Sequence, residues 1–425
     1  MSDHEWAHAL GAANPSDLLP KRFGAISYVI TGPLRIVDFL PLGKNFRLCI
    51  ISDAAQNLFS IPLVLANGVA RRATPGDGTA QHIIEYPVGI NQLGNFTITV
   101  RESAPAQSER SISVDQTEES VVVGEVAVVK YFSQVVESSL TSLPKIQSLS
   151  KADYHFMPRS LLSLEWKNST KMYLLAEATQ FIPDAIDGWT WAVEDAQNFI
   201  DAKSSLDEAT QSGVVLGQLL AQMHQAFIAT GSSQSSAADV SQWLDRAERD
   251  LSLALEVGIG PEGEVFRNWA PEIAKRFNAH DHQFSQVLSF THGDLHVGQI
   301  LRTPNNKYFV IDFDGNPVAD STSTPNNTPL LQDLASLIQS IDHVARVVNR
   351  RRNLSRTEEL QEWSAHTQNL ILKTYEDLLG IRVDLKLLKI FQIQQECREF
   401  IYAQKHLPVW RYVPEAALVA LMKEN

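Results

Sequence analysis

Hydrophobic side chains in the N-terminal part of the chain recur in short segments that are typical of β-strands. These segments are rich in β-branched and aromatic residues, and turn signals such as Thr31-Gly32-Pro33 separate them. The predicted strands cover residues 26–30, 34–39, 46–51, 59–65, 82–86 and 96–101. The pattern therefore predicts a small antiparallel β domain at this end of the chain.

Two further apolar strands follow the polar stretch at 102–119. They lie within residues 121–130, bend around a glycine and end in a lysine. After another strand at 172–175 the pattern becomes helical to the end of the chain, apart from a β island at 289–315. The clearest helix repeats its apolar positions every 3.6 residues, through Val215, Leu216, Leu219, Leu220, Met223 and Phe227. A β-rich part followed by a helix-rich part predicts an α+β fold.

Length and composition restrict the class of protein. A chain of 425 residues that is 44% hydrophobic is too long for one core, so we expect two or three domains. The net charge of −13 disfavours a nucleic-acid partner, because binding to phosphates needs a basic face. The two cysteines, Cys49 and Cys397, show no metal-ligand spacing, which fits a reducing cytoplasm. No apolar stretch approaches the roughly 18–20 residues that span a bilayer, so we expect no membrane partner.

The segment at 290–315 contains a polar loop, a hairpin and a second, acidic loop. Asp294 precedes Gln299 by the spacing of the kinase catalytic loop, in which an aspartate is the base and an amide side chain binds metal. The Asp-Phe-Asp run at 312–314 takes the place of the Asp-Phe-Gly motif. Because carboxylate and amide oxygens suit Mg²⁺, the segment predicts an ATP- and Mg²⁺-dependent kinase. Asp294 is the predicted base, and the predicted metal ligands are Gln299, Asp312 and Asp314.

Lys130 ends an apolar strand that precedes the catalytic segment, as does the lysine that contacts the phosphates of ATP in kinases. The alternative is a surface lysine whose aliphatic part lies along the strand. We assign it no helix partner, because Glu137 follows too closely in the sequence. No Gly-x-Gly-x-x-Gly loop precedes the lysine, so the turn at 115–120 would have to cover the phosphates.

Two histidines in the catalytic segment, His292 and His296, leave a second chemistry open. They could belong to a metallohydrolase, but no further cluster of histidines and carboxylates completes a metal shell. We interpret the pair His280 and His282 as part of a solvated loop. His292 is then a residue that orients the catalytic loop.

These motifs resemble the aminoglycoside phosphotransferase superfamily, and more narrowly its maltokinase-like branch, over nearly the whole chain. The resemblance includes the Asp-Gly-Trp run at 187–189, the His-Gly-Asp-Leu-His-x-Gly-Gln loop at 292–299 and the acidic metal loop after it. Before the lysine strand it rests on Asp115, Gln116, Ser120 and Lys130. At the C-terminal end it rests on Glu399, Tyr402, Pro408 and Trp410.

The resemblance implies a protein-kinase-like two-lobed fold. Separately, we expect the protein to be a monomer. An N-terminal antiparallel β cap would cover residues 1–112, an ATP-binding N-lobe 113–185 and a helical C-lobe 186–425. The adenine would contact the backbone near the end of the N-lobe, and the sugar would lie between Asp294 and the C-terminal helices. The implied ATP contacts are Lys130, Gln116, Ser120, Thr179 and Phe181.

Two segments, 340–348 and 394–402, look more like the actinobacterial glucosamine kinases of this branch than like maltokinases, which tend to carry a tyrosine where Arg398 stands. This similarity implies that D-glucosamine is phosphorylated on its 6-hydroxyl group. The implied sugar contacts are Asp342, Gln395, Glu399 and Trp410. Three alternatives stay open: a maltokinase that forms maltose 1-phosphate or acts on another neutral sugar, an aminoglycoside-type phosphotransferase, and an inactive ligand-binding homologue.

Overall fold

The computed structural model describes residues 3–14, 18, 32, 34–103, 108–112, 119–137, 141–279, 285–315 and 328–423. These residues form two compact units. The first contains the described residues up to 150 together with 158–184, and the second contains 151–157 and the described residues from 185 onward. The finer division into cap, N-lobe and C-lobe stays a prediction.

An antiparallel sheet of eleven strands forms the centre of the first unit, as far as the chain is described. Its strands are β1 (Arg35–Pro41), β2 (Phe46–Ser52), β3 (Leu58–Ala66), β4 (Val69–Arg72), β5 (Gly89–Leu93), β6 (Phe96–Val100), β7 (Glu109–Ser111), β8 (Glu119–Val123), β9 (Ala127–Glu137), β10 (Ser160–Asn168) and β11 (Lys171–Gln180). Eight of them follow the order β1-β2-β3-β9-β11-β10-β6-β5, while β4 pairs with β3, and β8 with β7 and β9. The helices of this unit are α1 (Asp3–Ala12), α2 (Thr79–Ile84) and α3 (Leu143–Lys151).

Four of the predicted N-terminal strands are confirmed, as β1, β2, β3 and β6. The predicted strand at 26–30 lies outside the described residues. The predicted strand at 82–86 is wrong, because this part of the chain belongs to α2 and the turn after it. The carboxylate of Glu109 accepts hydrogen bonds from the backbone N–H groups of Gly76, Gly78 and Gln81. These bonds satisfy donors at the start of α2, and they come from a residue too distant for a local pattern to reveal.

Strand β9 shows how the alternation of side chains places Lys130. Ala127, Val129 and Tyr131 belong to the hydrophobic core of the unit, together with side chains from β6, β8, β10 and β11. Lys130 lies between them in sequence and therefore on the other face of the sheet, where it is half-buried. The predicted hairpin is confirmed, and its turn contains Gly124 with a left-handed φ of 56°.

The second unit is mostly helical. Its helices are α4 (Gly188–Ile200), α5 (Leu206–Thr210), α6 (Ser212–Thr230), α7 (Ala237–Val257), α8 (Glu264–Asn278), α9 (Leu331–Arg351), α10 (Thr357–Leu379), α11 (Leu385–His406) and α12 (Tyr412–Lys423). Single 3₁₀ turns lie at Gly260–Gly263, Val297–Gln299 and Pro408–Trp410. The described strands are β12 (Ser233–Gln234), β13 (Val287–Ser289), β14 (Ile300–Arg302), β15 (Tyr308–Val310) and β16 (Thr328–Pro329).

Strands β14 and β15 form a hairpin, whereas β12, β13 and β16 form a small separate sheet. Helix α6 confirms the buried helix predicted from the 3.6-residue spacing, because its apolar positions from Leu216 to Phe227 lie in the core. Within the described residues, no helix has both the length and the apolar character needed to cross a membrane.

Candidate active site

Asp294 lies half-buried in the loop between β13 and β14, close to several other carboxylates. Burial raises the pKa of Asp294 to about 7, and the negative charges of Glu399, Asp312 and Asp333 add to this rise. The guanidinium group of Arg398 lowers it again in part. A carboxylate with a pKa near the working pH can accept and release a proton readily. The fold thus gathers around the predicted base two residues, Asp312 and Glu399, that the sequence also singled out.

A buried carboxylate holds the backbone of the catalytic loop. Asp333 on α9 accepts hydrogen bonds from the backbone N–H groups of His292 (2.6 Å) and Gly293 (2.9 Å). Its Oδ2 also lies 3.2 Å from Nε2 of His224, whose Nδ1 is 2.8 Å from the hydroxyl oxygen of Tyr375. Burial raises the pKa of Asp333, but the interactions with His224, the charge of His292 and the hydrogen bond from Gly293 together outweigh it, so the net pKa is lowered and the carboxylate stays ionised. Sequence reasoning missed this network.

His292 orients the loop through both ring nitrogens. Its Nε2 lies 2.9 Å from the carbonyl oxygen of Ile311, and its Nδ1 accepts a hydrogen bond of 3.3 Å from the backbone N–H of Asp294. Because Nδ1 accepts, Nε2 carries the proton and donates to Ile311. The ring therefore ties the loop that carries the base to the strand end that leads into Asp312.

Gln299 and Asp312 lie side by side, although thirteen residues separate them in the chain. Nε2 of Gln299 donates a hydrogen bond of 3.2 Å to Oδ2 of Asp312, and the β14–β15 hairpin brings the two together. Asp312 has a left-handed φ of 66°, which is uncommon for a residue with a side chain. Asp314 lies two residues further on, just before Gly315.

These oxygen donors fit Mg²⁺, which is usually bound through one or two carboxylates together with substrate phosphates. Among the described residues, no group of three or more histidine, cysteine, aspartate or glutamate side chains is arranged to hold a metal ion. Besides Asp312 and Asp314, a metal at this place would therefore need the amide oxygen of Gln299 and oxygens from a ligand.

An aromatic wall lies beside the catalytic loop. Helix α4 begins at the Asp-Gly-Trp run. Only glycine fits at position 188, because a Cβ atom there would lie 1.5 Å from the carbonyl oxygen of Val297. The next residue, Trp189, has its ring centroid 6.3 Å from that of His296 and 5.4 Å from that of Trp410. The wall brings Trp410, a predicted sugar contact, together with Trp189, whose role the sequence did not reveal.

The other predicted sugar contacts lie on α9 and α11. Gln395 donates a hydrogen bond of 3.1 Å from Nε2 to Oε1 of Glu399, one helical turn later on α11. Asp342 on α9 forms an ion pair with Arg346, with an N–O distance of 2.8 Å. Glu399 therefore stands near Asp294 with a neutral partner, whereas the charge of Asp342 is already compensated.

A buried pair connects the same two helices. His343 on α9 has its Nε2 2.9 Å from Oε1 of Glu396 on α11, and both side chains are buried. Burial lowers the pKa of His343, but the adjacent carboxylate of Glu396 outweighs it and raises the pKa to about 9. No local pattern in the chain indicates this pair, because the two residues lie on different helices.

In the first unit, strand register brings together three polar side chains. Lys130 on β9 lies directly opposite Ser120 on β8 and opposite Glu177 on β11. Residues directly opposite in antiparallel strands point to the same face, with Cβ atoms about 4.5–5.5 Å apart. Helix α3 carries no acidic side chain, and the hydroxyl of Ser142 just before it donates to Oε2 of Glu177 (2.9 Å). Glu177, which the sequence reasoning missed, is thus the carboxylate in register with Lys130.

Of the remaining predicted ATP contacts, Thr179 and Phe181 lie in the described part of the chain and Gln116 does not. Thr179 pairs with Val128 in the β9–β11 ladder, and the backbone N–H of Phe181 donates to the carbonyl oxygen of Val126 at 3.0 Å. The N–H of Phe181 is therefore already used inside the unit, so an adenine contact there would rely on carbonyl groups.

Comparison with known proteins identifies the class. Residues 191–366 match the model of the phosphotransferase enzyme family. The chain is 36% identical to a glucosamine kinase of Streptacidiphilus jiangxiensis over 99% of this chain and 98% of that protein. A glucosamine kinase of Mycolicibacterium smegmatis is 34% identical over 92% of this chain and 98% of its own length.

Solved structures agree with these matches. A glucosamine kinase in complex with glucosamine, ADP and inorganic phosphate superimposes with a TM-score of 0.81 at 34% identity, covering 98% of this chain and 99% of that one. A second crystal form of a glucosamine kinase gives a TM-score of 0.85 at 34% identity, covering 99% and 100%. The chain belongs to the phosphotransferase enzyme family, and the predicted resemblance and fold class are confirmed.

Proposed function

We propose that the protein is an ATP-dependent kinase that phosphorylates D-glucosamine on its 6-hydroxyl group. The observation that carries the proposal is that Glu399 acts electrostatically on Asp294, whose loop lies beside an aromatic wall, in a chain similar to glucosamine kinases over almost its whole length. The site then has a base whose pKa is close to 7, and a neighbouring carboxylate that can bind a cationic acceptor.

Asp294 is the catalytic base in this proposal. Because its pKa is raised to about 7, Asp294 can take the proton of the attacking hydroxyl as the phosphoryl group is transferred. The hydrogen bonds from His292 and Gly293 to Asp333 fix the loop backbone, and so the position of the base, before any ligand binds. Preorganisation of this kind lowers the cost of reaching the transition state.

Glu399 recognises the ammonium group of the acceptor. A carboxylate that receives a charge-assisted hydrogen bond from an ammonium group favours glucosamine over glucose by about 1.5–3 kcal/mol. Gln395 holds Glu399 through its side-chain amide, and Trp410 offers a flat surface to the C–H face of the sugar. Asp342, which is paired with Arg346, contributes only through its longer-range charge.

Lys130 and Ser120 bind the phosphates of ATP in this proposal, and Gln116 belongs to the same turn. Glu177 orients Lys130 in place of the helix glutamate that α3 lacks. The backbone between Thr179 and Phe181 contacts the adenine. In the second unit, Mg²⁺ would be held by Gln299, Asp312 and Asp314. When bound, the ion neutralises charge on the phosphate oxygens.

The test is a purified-enzyme assay that couples ADP release to a spectroscopic signal, with glucosamine, glucose, maltose and an aminoglycoside as acceptors. Glucosamine should give the highest kcat/KM, and NMR of the product should show phosphate on the 6-hydroxyl group. Glu399→Gln should raise KM for glucosamine about ten- to a hundredfold and leave KM for glucose nearly unchanged. A higher kcat/KM for a neutral sugar than for glucosamine would refute the assignment as an amino-sugar kinase, but the assignment as a sugar kinase would stand. The monomeric state and the cytoplasmic location stay predictions.

A further inference from the structure

Arg398 and Asp250 form an ion pair close to the catalytic loop, and the proposed mechanism gives neither residue a role. Nε of Arg398 on α11 lies 2.9 Å from Oδ2 of Asp250 on α7, and Nε2 of Gln394 donates to the same oxygen at 2.7 Å. Both charged side chains are about three-quarters buried. Because the bond uses Nε, the two terminal nitrogens of the guanidinium group can still donate to a ligand.

Arg398 also lines a small cavity next to the base. The cavity wall includes Gly293 of the catalytic loop, Ser336 of α9 and Gln395 of α11. Its charged side chains are Arg398 and Asp333, and the carboxylate of Asp333 already accepts hydrogen bonds from the catalytic loop. Its other polar side chains are neutral amides and one hydroxyl. This lining can donate hydrogen bonds to a hydroxyl group of a ligand, and Arg398 is the donor with the most unused N–H groups.

The positive charge of Arg398 poses a problem for a cationic acceptor. The guanidinium acts on Asp294, the residue immediately adjacent to Gly293, and Glu399 follows Arg398 directly in the chain. An uncompensated guanidinium here would repel an ammonium group and offset the attraction of Glu399. A neutral sugar would feel neither effect.

We propose that Asp250 is a positioning residue that makes the acceptor site selective for cations: it fixes the guanidinium of Arg398 toward the cavity and cancels its charge. Arg398 then serves as a hydrogen-bond donor to sugar hydroxyls without repelling the ammonium group. The inference rests on the proposed function, since it assumes that a protonated amino sugar occupies this site. Asp250 itself need not touch the acceptor.

Asp250→Asn tests the inference, because it keeps the size of the side chain and removes only the charge. At pH 7, where an amine of this type is largely protonated, the variant should raise KM for glucosamine about tenfold. KM for glucose should rise much less than KM for glucosamine, because glucose carries no charge for Arg398 to repel. Asp245→Asn is the matched control, because Asp245 lies exposed on the same helix and loses the same charge.

The ratio of the two kcat/KM values is the readout, since a merely structural loss would lower activity toward both sugars alike. A double variant, Asp250→Asn with Arg398→Gln, removes the unmasked charge and should bring the glucosamine-to-glucose ratio back to within about threefold of wild type. The inference is wrong if Asp250→Asn leaves this ratio unchanged, or if the double variant is as unselective as the single one. A wild-type enzyme that does not prefer glucosamine would instead refute the proposed function.

Discussion

Replacing Asp294 by asparagine should stabilise the folded protein above pH 7 while removing its activity. The pKa of Asp294 is about 7 in the folded protein, compared with 3.8 for an unperturbed aspartate. The folded state therefore binds the proton more tightly than the unfolded state does. The stability that the neutral carboxyl provides is fully present below about pH 4, and it is lost as the pH rises through 7. At 1.36 kcal/mol per pH unit, the difference corresponds to about 4 kcal/mol.

Partial exposure of Asp294 and the new amide group reduce this figure, so we expect a gain of about 1–3 kcal/mol at pH 8. Thermal unfolding of wild type and Asp294→Asn at pH 5 and pH 8 measures it. At pH 8 the Tm of the variant should be higher by several degrees, and at pH 5 the difference should be less than half as large, because only part of the stability is lost between pH 4 and pH 5. Meanwhile kcat should fall about 10²- to 10⁴-fold. An equal or lower Tm at pH 8, or the same gain at both pH values, would refute the reasoning, and Asp245→Asn should change neither quantity.

Three further predictions address the parts around the base. Tyr375→Phe removes the hydroxyl group that contacts His224. The free energy of unfolding, measured in urea, should fall by about 1 kcal/mol, and kcat should fall severalfold. An unchanged free energy of unfolding would argue against this hydrogen bond. Glu177→Gln should raise KM for ATP more than KM for the sugar, because Glu177 is proposed to orient the opposite Lys130, and an equal effect on both would contradict this role. EDTA should abolish turnover and Mg²⁺ or Mn²⁺ should restore it, while rescue by zinc alone would argue against ligands such as Gln299.

The part of the site that lies in one segment could be predicted from the sequence. Asp294, Gln299 and Asp312 fall within a loop, a tight hairpin and a strand end, so their spacing along the chain fixes their separation in space. Lys130 could be placed on a sheet face for the same reason, because alternation in β9 is a local property. In each case the chemistry follows from residues that are close in sequence.

The supporting residues could not be predicted, because each acts on a partner far away in the chain. Asp333 lies 41 residues from His292, and Asp250 lies 148 residues from Arg398. On its own helix each looks like a solvated carboxylate, and only tertiary packing shows that it is buried. Glu177 did offer a signal, since it is a charge inside an apolar strand. The strand predicted at 82–86 failed for the related reason that the carboxylate of Glu109 caps a helix there.

In the proposed mechanism, the carboxylate that recognises the acceptor also acts on the base, and this links acceptor binding to proton transfer. The charge of Glu399 is one reason why the pKa of Asp294 is raised. An ammonium group bound at Glu399 would cancel that charge, so binding of glucosamine should lower the pKa of Asp294 and ionise it. The base would then become fully active only when a cationic acceptor is in place, whereas glucose would leave its pKa unchanged.

Rate profiles between pH 5 and pH 9 test this link, because kcat/KM reports the free enzyme and kcat reports the complex. With glucosamine, the pKa of the acidic limb should be lower in kcat than in kcat/KM by about one pH unit, since one charge contact is cancelled. With glucose the two values should agree, and in Glu399→Gln both acceptors should give the same acidic limb. If glucose and glucosamine showed identical shifts in the wild type, Glu399 would not couple acceptor binding to the ionisation of Asp294.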